Sequence, residues 1–187
     1  MGLDNAGKTT FLEQIKHVYN KSTSVNPEKI LPTVGMNIAR IPMKQSSTQL
    51  TFWDLGGQTS LQVLWDKYFS ECHCIVFVVD STDPQRIEEC ATAFGIFRRD
   101  YLEKVITNPD IQGVPIITLC NKQDLPEHME IHEIQRIFNR IAVKLEARDS
   151  KVMAVSALEG LGVTECVAWI LDRVQKNSTD RPPRNSN

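Results

Sequence analysis

At 187 residues the chain is long enough for one globular core and short for two. A composition of 41% hydrophobic and 24% charged residues with a net charge of -2 argues against a dedicated nucleic-acid surface, and no apolar run approaches the ~20 residues that a membrane span needs. The five cysteines, Cys72, Cys74, Cys90, Cys120 and Cys166, are odd in number and lack framework spacing, so they read as reduced thiols, and Cys72-His73-Cys74 reads as a strand-entrance turn rather than a zinc cluster.

The chain opens on Gly2-Leu3-Asp4-Asn5-Ala6-Gly7-Lys8-Thr9, which fits the phosphate-loop pattern G-x-x-x-x-G-K-[ST]. In such a loop successive backbone N–H groups point at phosphate oxygens and the next helix adds its N-terminal dipole. Lys8 is expected to reach the β- and γ-phosphates, and the Thr9 hydroxyl to bind Mg²⁺. Met1-Gly2 also resembles an acylation start, but Ala6 stands where Ser or Thr is required, and Gly2 belongs to the loop. A helix should follow, and Phe11, Leu12, Ile15, Val18 and Tyr19 form one apolar stripe at helical spacing. A buried strand should precede the loop, where only Met1 stands.

Asn20 to Pro32 is polar and aperiodic, a loop that ends in Pro32-Thr33-Val34-Gly35. Met36 to Lys44 and Gln49 to Asp54 read as a hairpin around Gln45-Ser46-Ser47-Thr48, with Pro42 marking an edge strand. The second strand ends in Asp54-Leu55-Gly56-Gly57-Gln58. An acid at that position can hold Mg²⁺ through water, a glycine after it lets a backbone N–H approach the γ-phosphate, and Gln58 could orient an attacking water.

Leu61, Leu64, Trp65 and Tyr68 predict a short helix over Ser60 to Phe69. Ile75 to Val79, ending in Asp80, and Val114 to Cys120, ending in Asn121-Lys122-Gln123-Asp124, are strands of the kind buried on both faces of a parallel sheet. Helices are predicted over Pro84 to Val105 (Ile87, Cys90, Ala91, Phe94, Phe97 and Leu102 inward), Ile131 to Leu145 and Gly162 to Val174, with a short strand at Val152 to Val155 before Ser156-Ala157. Asn177 to Asn187, with Arg181-Pro182-Pro183-Arg184, reads as a disordered tail beyond a single domain over 1–176.

This alternation implies a doubly wound, mostly parallel α/β sheet with right-handed crossovers and one antiparallel edge strand. Ligands of such folds sit at the carboxyl ends of strands, where Asp54, Asn121 and Ser156-Ala157 all fall. In N-K-x-D, the Asp124 carboxylate can accept from the N1–H and N2 amino groups of guanine, a donor pair that adenine lacks.

The sequence resembles the Arf family of small GTPases. The resemblance is carried by Gly2 to Thr10, Pro32 to Gly35, Phe52 to Gln58, Leu64 to Phe69, N-K-Q-D and the R-P-P-R tail, and Glu71-Cys72-His73 points to a Golgi branch of the family. It implies the P-loop GTPase fold, GTP or GDP with Mg²⁺ as ligands, and slow unaided GTP hydrolysis that depends on an activating protein. Gly2, Leu3, Asp4, Asn5, Ala6, Gly7, Lys8, Thr9 and Thr10 would cradle the phosphates. Thr9 and Thr33 would bind the metal, with Asp54 behind its waters, Gly57 would sense the γ-phosphate and Gln58 would be catalytic. Asn121 would brace the phosphate loop and the base, the Lys122 stem would lie on the ring, Asp124 would read guanine, and Ser156 with the Ala157 N–H would complete the base site at O6. Asp4 would put a carboxylate beside the γ-phosphate.

The resemblance also implies a hairpin that slides by two residues between nucleotide states, which preserves strand facing. An exchange factor, the activating protein and effectors would meet Met36, Trp53, Tyr68 and the two switch segments. A monomer with peripheral membrane association in the full-length protein and a Golgi role in membrane traffic is expected. The family has an amino-terminal segment and a central first strand for which these residues provide no counterpart. Residues 1–187 as written are therefore expected to be unstable or weak in nucleotide binding, with an upstream exon or start codon restoring the strand. A truncated isoform acting as a nucleotide-incompetent binding module is the alternative.

Overall fold

The computed structural model describes residues 1–22, 26–44, 46–94, 108–142 and 149–178. The phosphate loop runs directly into helix α1 (Lys8–Asn20), entered through Gly7 at φ 87° and left through Lys21 at φ 54°, whose N–H returns to the Lys16 carbonyl. Phe11, Leu12, Gln14 and Ile15 are its buried positions. Val18, expected in the stripe, is 41% exposed. Tyr19, in the last turn, is half-buried against the core, so Val18 alone of the expected stripe is turned out to solvent.

Strands β1 (Met36–Pro42) and β2 (Gln49–Leu55) form an antiparallel hairpin in which Met36 stands opposite Leu55 and Pro42 opposite Gln49. Ala39, Ile41 and Leu50 are buried. Thr59–Glu71 is a 13-residue 3₁₀ segment rather than the short α-helix that the spacing predicts. Gln62, Trp65 and Phe69 face inward, whereas Leu61, Leu64 and Tyr68 are only half-buried. Runs of 3₁₀ geometry longer than a few residues are uncommon and often mark a hinge or a constrained sequence.

Strand β3 (Ile75–Asp80), helix α2 (Ile87–Phe94), strand β4 (Ile116–Asn121), helix α3 (Ile131–Ala142), strand β5 (Ser150–Ala154) and helix α4 (Val163–Asn177) complete the chain. Phe97, Leu102 and the R-P-P-R tail lie outside the described residues, as does the Phe94 side chain. α4 continues through Asn177, one residue past the expected end of the domain.

Among the described residues the strands form two sheets, the β1–β2 hairpin and a parallel sheet of order β3-β4-β5. The doubly wound fold is present as two sheets, with a gap beside β3 that no described strand bridges. Met1 supplies one rung at that position. Its amino group donates to the Val76 carbonyl at 2.8 Å, and its own carbonyl accepts from the Val78 N–H at 2.9 Å. This is the pattern of a parallel partner on the edge of β3 not taken by β4.

The helices still cover both faces. One apolar cluster joins Leu3, Leu55, Trp65, Phe69, Phe77, Ile116 and Phe138. The other joins Phe11, Ile15, Ile41, Leu50, Val78, Leu119, Val167 and Ile170. Each cluster contains residues of both sheets, so side-chain packing spans the gap that backbone hydrogen bonds leave. No described helix is long and apolar enough to cross a membrane.

Candidate nucleotide site

The carboxyl end of β2 carries Asp54, a buried carboxylate. Its Oδ2 lies 2.7 Å from the Thr9 hydroxyl and 3.2 Å from that of Thr33, and the two hydroxyls are 2.9 Å apart. Asp54 Oδ1 is buried and has no hydrogen-bond partner among the described residues. Two hydroxyls and an orphaned carboxylate oxygen form a hard, all-oxygen donor set that fits Mg²⁺. The residues come from the start of α1, the loop before β1 and the end of β2, so only the fold assembles them.

The phosphate loop itself is tightly built. Lys8 donates from Nζ to the Leu3 carbonyl at 2.7 Å. Burial lowers its pKa from 10.5, partly offset by the carboxylates of Asp54 and Asp4. A Cβ added at Gly57 would stand 2.4 Å from the Asp4 nitrogen and 2.5 Å from the Gly2 carbonyl oxygen. The segment after β2 thus rests directly on the loop. It is tied further by Gly56 N–H to the Gly35 carbonyl at 2.9 Å, Trp65 Nε1–H to the Gly56 carbonyl at 3.1 Å and Gln62 Nε2–H to the Gly57 carbonyl at 3.2 Å. Gln58 is exposed; its carbonyl accepts the first bond of the 3₁₀ segment, from Leu61 N–H at 2.8 Å.

At the neighbouring strand end, Asn121 connects the phosphate loop to the loop after β5. Its Nδ2 donates to the Ala6 carbonyl at 2.8 Å, and its Oδ1 accepts from the Ala157 N–H at 2.9 Å. The Ala157 N–H that the family resemblance assigns to guanine O6 is therefore turned to Asn121 here, as a buried backbone donor needs an acceptor. Lys122, at φ 69°, donates to Asp80 Oδ2 at 2.5 Å, and Ser156 is buried with its hydroxyl oxygen accepting from the Glu159 N–H at 3.0 Å. Asp124 stands exposed at the rim.

The Asp4 side chain, expected beside the γ-phosphate, is turned instead toward Arg86, whose Nη2 lies 2.6 Å from Asp4 Oδ1. Arg86 had no distinguishing mark in the sequence, because its partner is 82 positions away. Met36, Trp53 and Tyr68 are half-buried and pack against one apolar cluster. The Trp53 and Tyr68 ring centroids are 5.6 Å apart. Leu31, Val34, Ile38 and Val63 are exposed apolar residues of the hairpin and of the segments flanking it.

The profile of the ADP-ribosylation factor family matches residues 1–174. A protein of Saccharomyces cerevisiae named ADP-ribosylation factor-like protein 3 is 47% identical over 183 residues, covering 98% of this chain and 87% of its own. The human protein named ADP-ribosylation factor-related protein 1 is 45% identical over 185 residues, with the same coverage of 98% and 87%. Among solved structures, the Arl6 BBS3 small GTPase from Trypanosoma brucei with the bound nucleotide analogue GppNp aligns with a TM-score of 0.73 at 25% identity, over 95% of this chain and 96% of that one. With the phosphate loop, the Thr9–Thr33–Asp54 cluster and the Asn121 bridge on one rim, the chain belongs to the Arf family of small GTPases, enzymes that bind GTP or GDP with Mg²⁺ and hydrolyse GTP.

Proposed function

We propose that this GTPase acts as a molecular switch in Golgi and endosomal membrane traffic, with the residues named below in the nucleotide cycle. The observation that carries the reading is the joining of three sequence-distant loops: Asn121 bonds to both Ala6 and Ala157, while Thr33 and Asp54 meet Thr9 at the other end of the same phosphate loop. A nucleotide-incompetent module would have no need for that arrangement. The Golgi assignment rests on the resemblance through Leu64 to Phe69 and Glu71-Cys72-His73.

Thr9 and Thr33 would hold Mg²⁺, with Asp54 behind its waters. The ion, when bound, offsets charge on the β- and γ-phosphate oxygens. Lys8 and the backbone N–H groups of Leu3 to Thr10 bind the phosphates, which give the Lys8 ammonium an anionic acceptor where it now has the Leu3 carbonyl. The Gly57 N–H recognises the γ-phosphate, and Gln58, exposed at the mouth of the site, orients the attacking water. Asn121 keeps the phosphate loop and the loop of Ser156 and Ala157 in register, and the Lys122 stem, its ammonium held by Asp80, offers a face for the purine. Asp124 accepts from guanine N1–H and the N2 amino group. Hydrolysis is slow until an activating protein supplies an arginine, an effect worth about 10³ to 10⁵ in rate.

Loss of the γ-phosphate removes what holds Thr33 and Gly57, and the hairpin between them responds. Effectors then read Met36, Trp53 and Tyr68 with the exposed Val34, Ile38 and Val63. An exchange factor and the activating protein act on the same segments. The protein acts as a cytoplasmic monomer that associates peripherally with Golgi membranes.

Titration with a fluorescent GDP tests the reading. Saturable binding that is lost with EDTA is expected, and Asp124→Asn should move the base preference from guanine toward xanthine. Absence of Mg²⁺-dependent binding would favour the nucleotide-incompetent alternative, and an unchanged preference in Asp124→Asn would remove the base-reading assignment.

A further inference from the structure

Asp4 introduces a carboxylate into a loop whose other groups attract anions. Its backbone nitrogen faces the Gly57 segment, yet its side chain leaves the phosphate side and meets Arg86, with Nη2 2.6 Å from Oδ1. Arg86 is itself held in place. Its backbone N–H donates to Asp83 Oδ1 at 3.1 Å and to the Asp83 carbonyl at 3.2 Å, and its Nε donates to Glu89 Oε2 at 2.9 Å. The guanidinium thus uses one edge to fix itself to the first turn of α2 and another to hold the loop carboxylate. A small cavity between them is lined by Asp4, Asp80, Asp83 and Arg86 among others, so the arginine shares its surroundings with three carboxylates.

We propose that Arg86 is a positioning residue for the nucleotide reaction: it keeps the Asp4 carboxylate on the outer side of the phosphate loop and so sets the preference between GTP and GDP. The inference rests on the GTPase reading above. With Arg86 in place, the loop's negative charge is neutralised and directed away from the terminal phosphate. Without it, the freed carboxylate turns toward the position where GTP carries more negative charge than GDP, and like charges there disfavour the triphosphate. Asp4 and Arg86 side chains are 40% and 34% exposed, so solvent screens the pair and limits the effect.

The test is the ratio of affinities for a non-hydrolysable GTP analogue and GDP, measured on the full chain at fixed Mg²⁺. Arg86→Gln should lower the GTP preference about three- to fivefold, the upper range for a partly exposed ion pair, and less at high salt. Arg86→Lys, which keeps the charge without the planar fork, should restore most of the preference. Asp4→Asn in the Arg86→Gln background should return the ratio to that of the parent, a rescue that a purely structural role for Arg86 would not give. An unchanged ratio in Arg86→Gln, or failure of Asp4→Asn to rescue it, overturns the proposal while GDP binding leaves the GTPase reading standing. If Arg86→Gln does not fold, a parent-like ratio in Arg86→Ala/Asp4→Asn supports the proposal and a lowered one overturns it. Mg²⁺-dependent binding of neither nucleotide by the parent would overturn both.

Discussion

Asn121 is the residue through which the two ends of the site depend on each other. Its amide is 2% exposed and each end is hydrogen-bonded to backbone, at Ala6 and at Ala157. Asn121→Ala leaves a buried carbonyl and a buried N–H without partners, which costs about 1–3 kcal/mol for each group left unsatisfied. Chemical denaturation should therefore show a loss of about 2–6 kcal/mol, a large part of the stability of a domain this size. Gly7 protects the same contact, since a Cβ there would lie 2.2 Å from Asn121 Nδ2. The buried thiols contribute no comparable chemistry. Burial pushes Cys90, Cys120 and Cys166 up to about 12 and Cys74 higher still.

The informative element is the 3₁₀ segment with the turn that precedes it. Gly57 holds it flat against the phosphate loop, because a Cβ there would meet, at 2.4 Å and 2.5 Å, backbone atoms that cannot rotate away. Gly57→Ala should lift the segment and weaken the Trp65 bond to the Gly56 carbonyl. Trp65 is 1% exposed, so its emission should shift to longer wavelength, with the far-ultraviolet circular dichroism spectrum nearly unchanged. An emission spectrum identical to that of the parent would mean that the segment is held by packing of Trp65 and Phe69 alone.

At the scale of the whole molecule, two sheets are joined by side chains rather than by a continuous ladder, and Met1 lies at their junction. Because each apolar cluster contains residues of both sheets, urea unfolding followed by tryptophan emission and by circular dichroism should coincide in one transition; separate midpoints would mean that the two sheets unfold independently.

Much of this protein is written in local pattern. Gly2 to Thr9 and Asn121 to Asp124 stand out through their spacing, and the apolar runs at Ile75 to Val79 and Val114 to Cys120 announce buried parallel strands, because backbone geometry and strand burial act over a few residues. Periodicity was less informative at Val18 and over Thr59–Glu71, where the covering elements decide which side is inside. Only the tertiary structure decided that Asp4 turns to Arg86, that Asn121 engages Ala6 across 115 positions, and that Ala157 donates to Asn121. Those choices depend on which donors and acceptors packing brings within about 3 Å of one another, a relation between distant residues that no local pattern encodes.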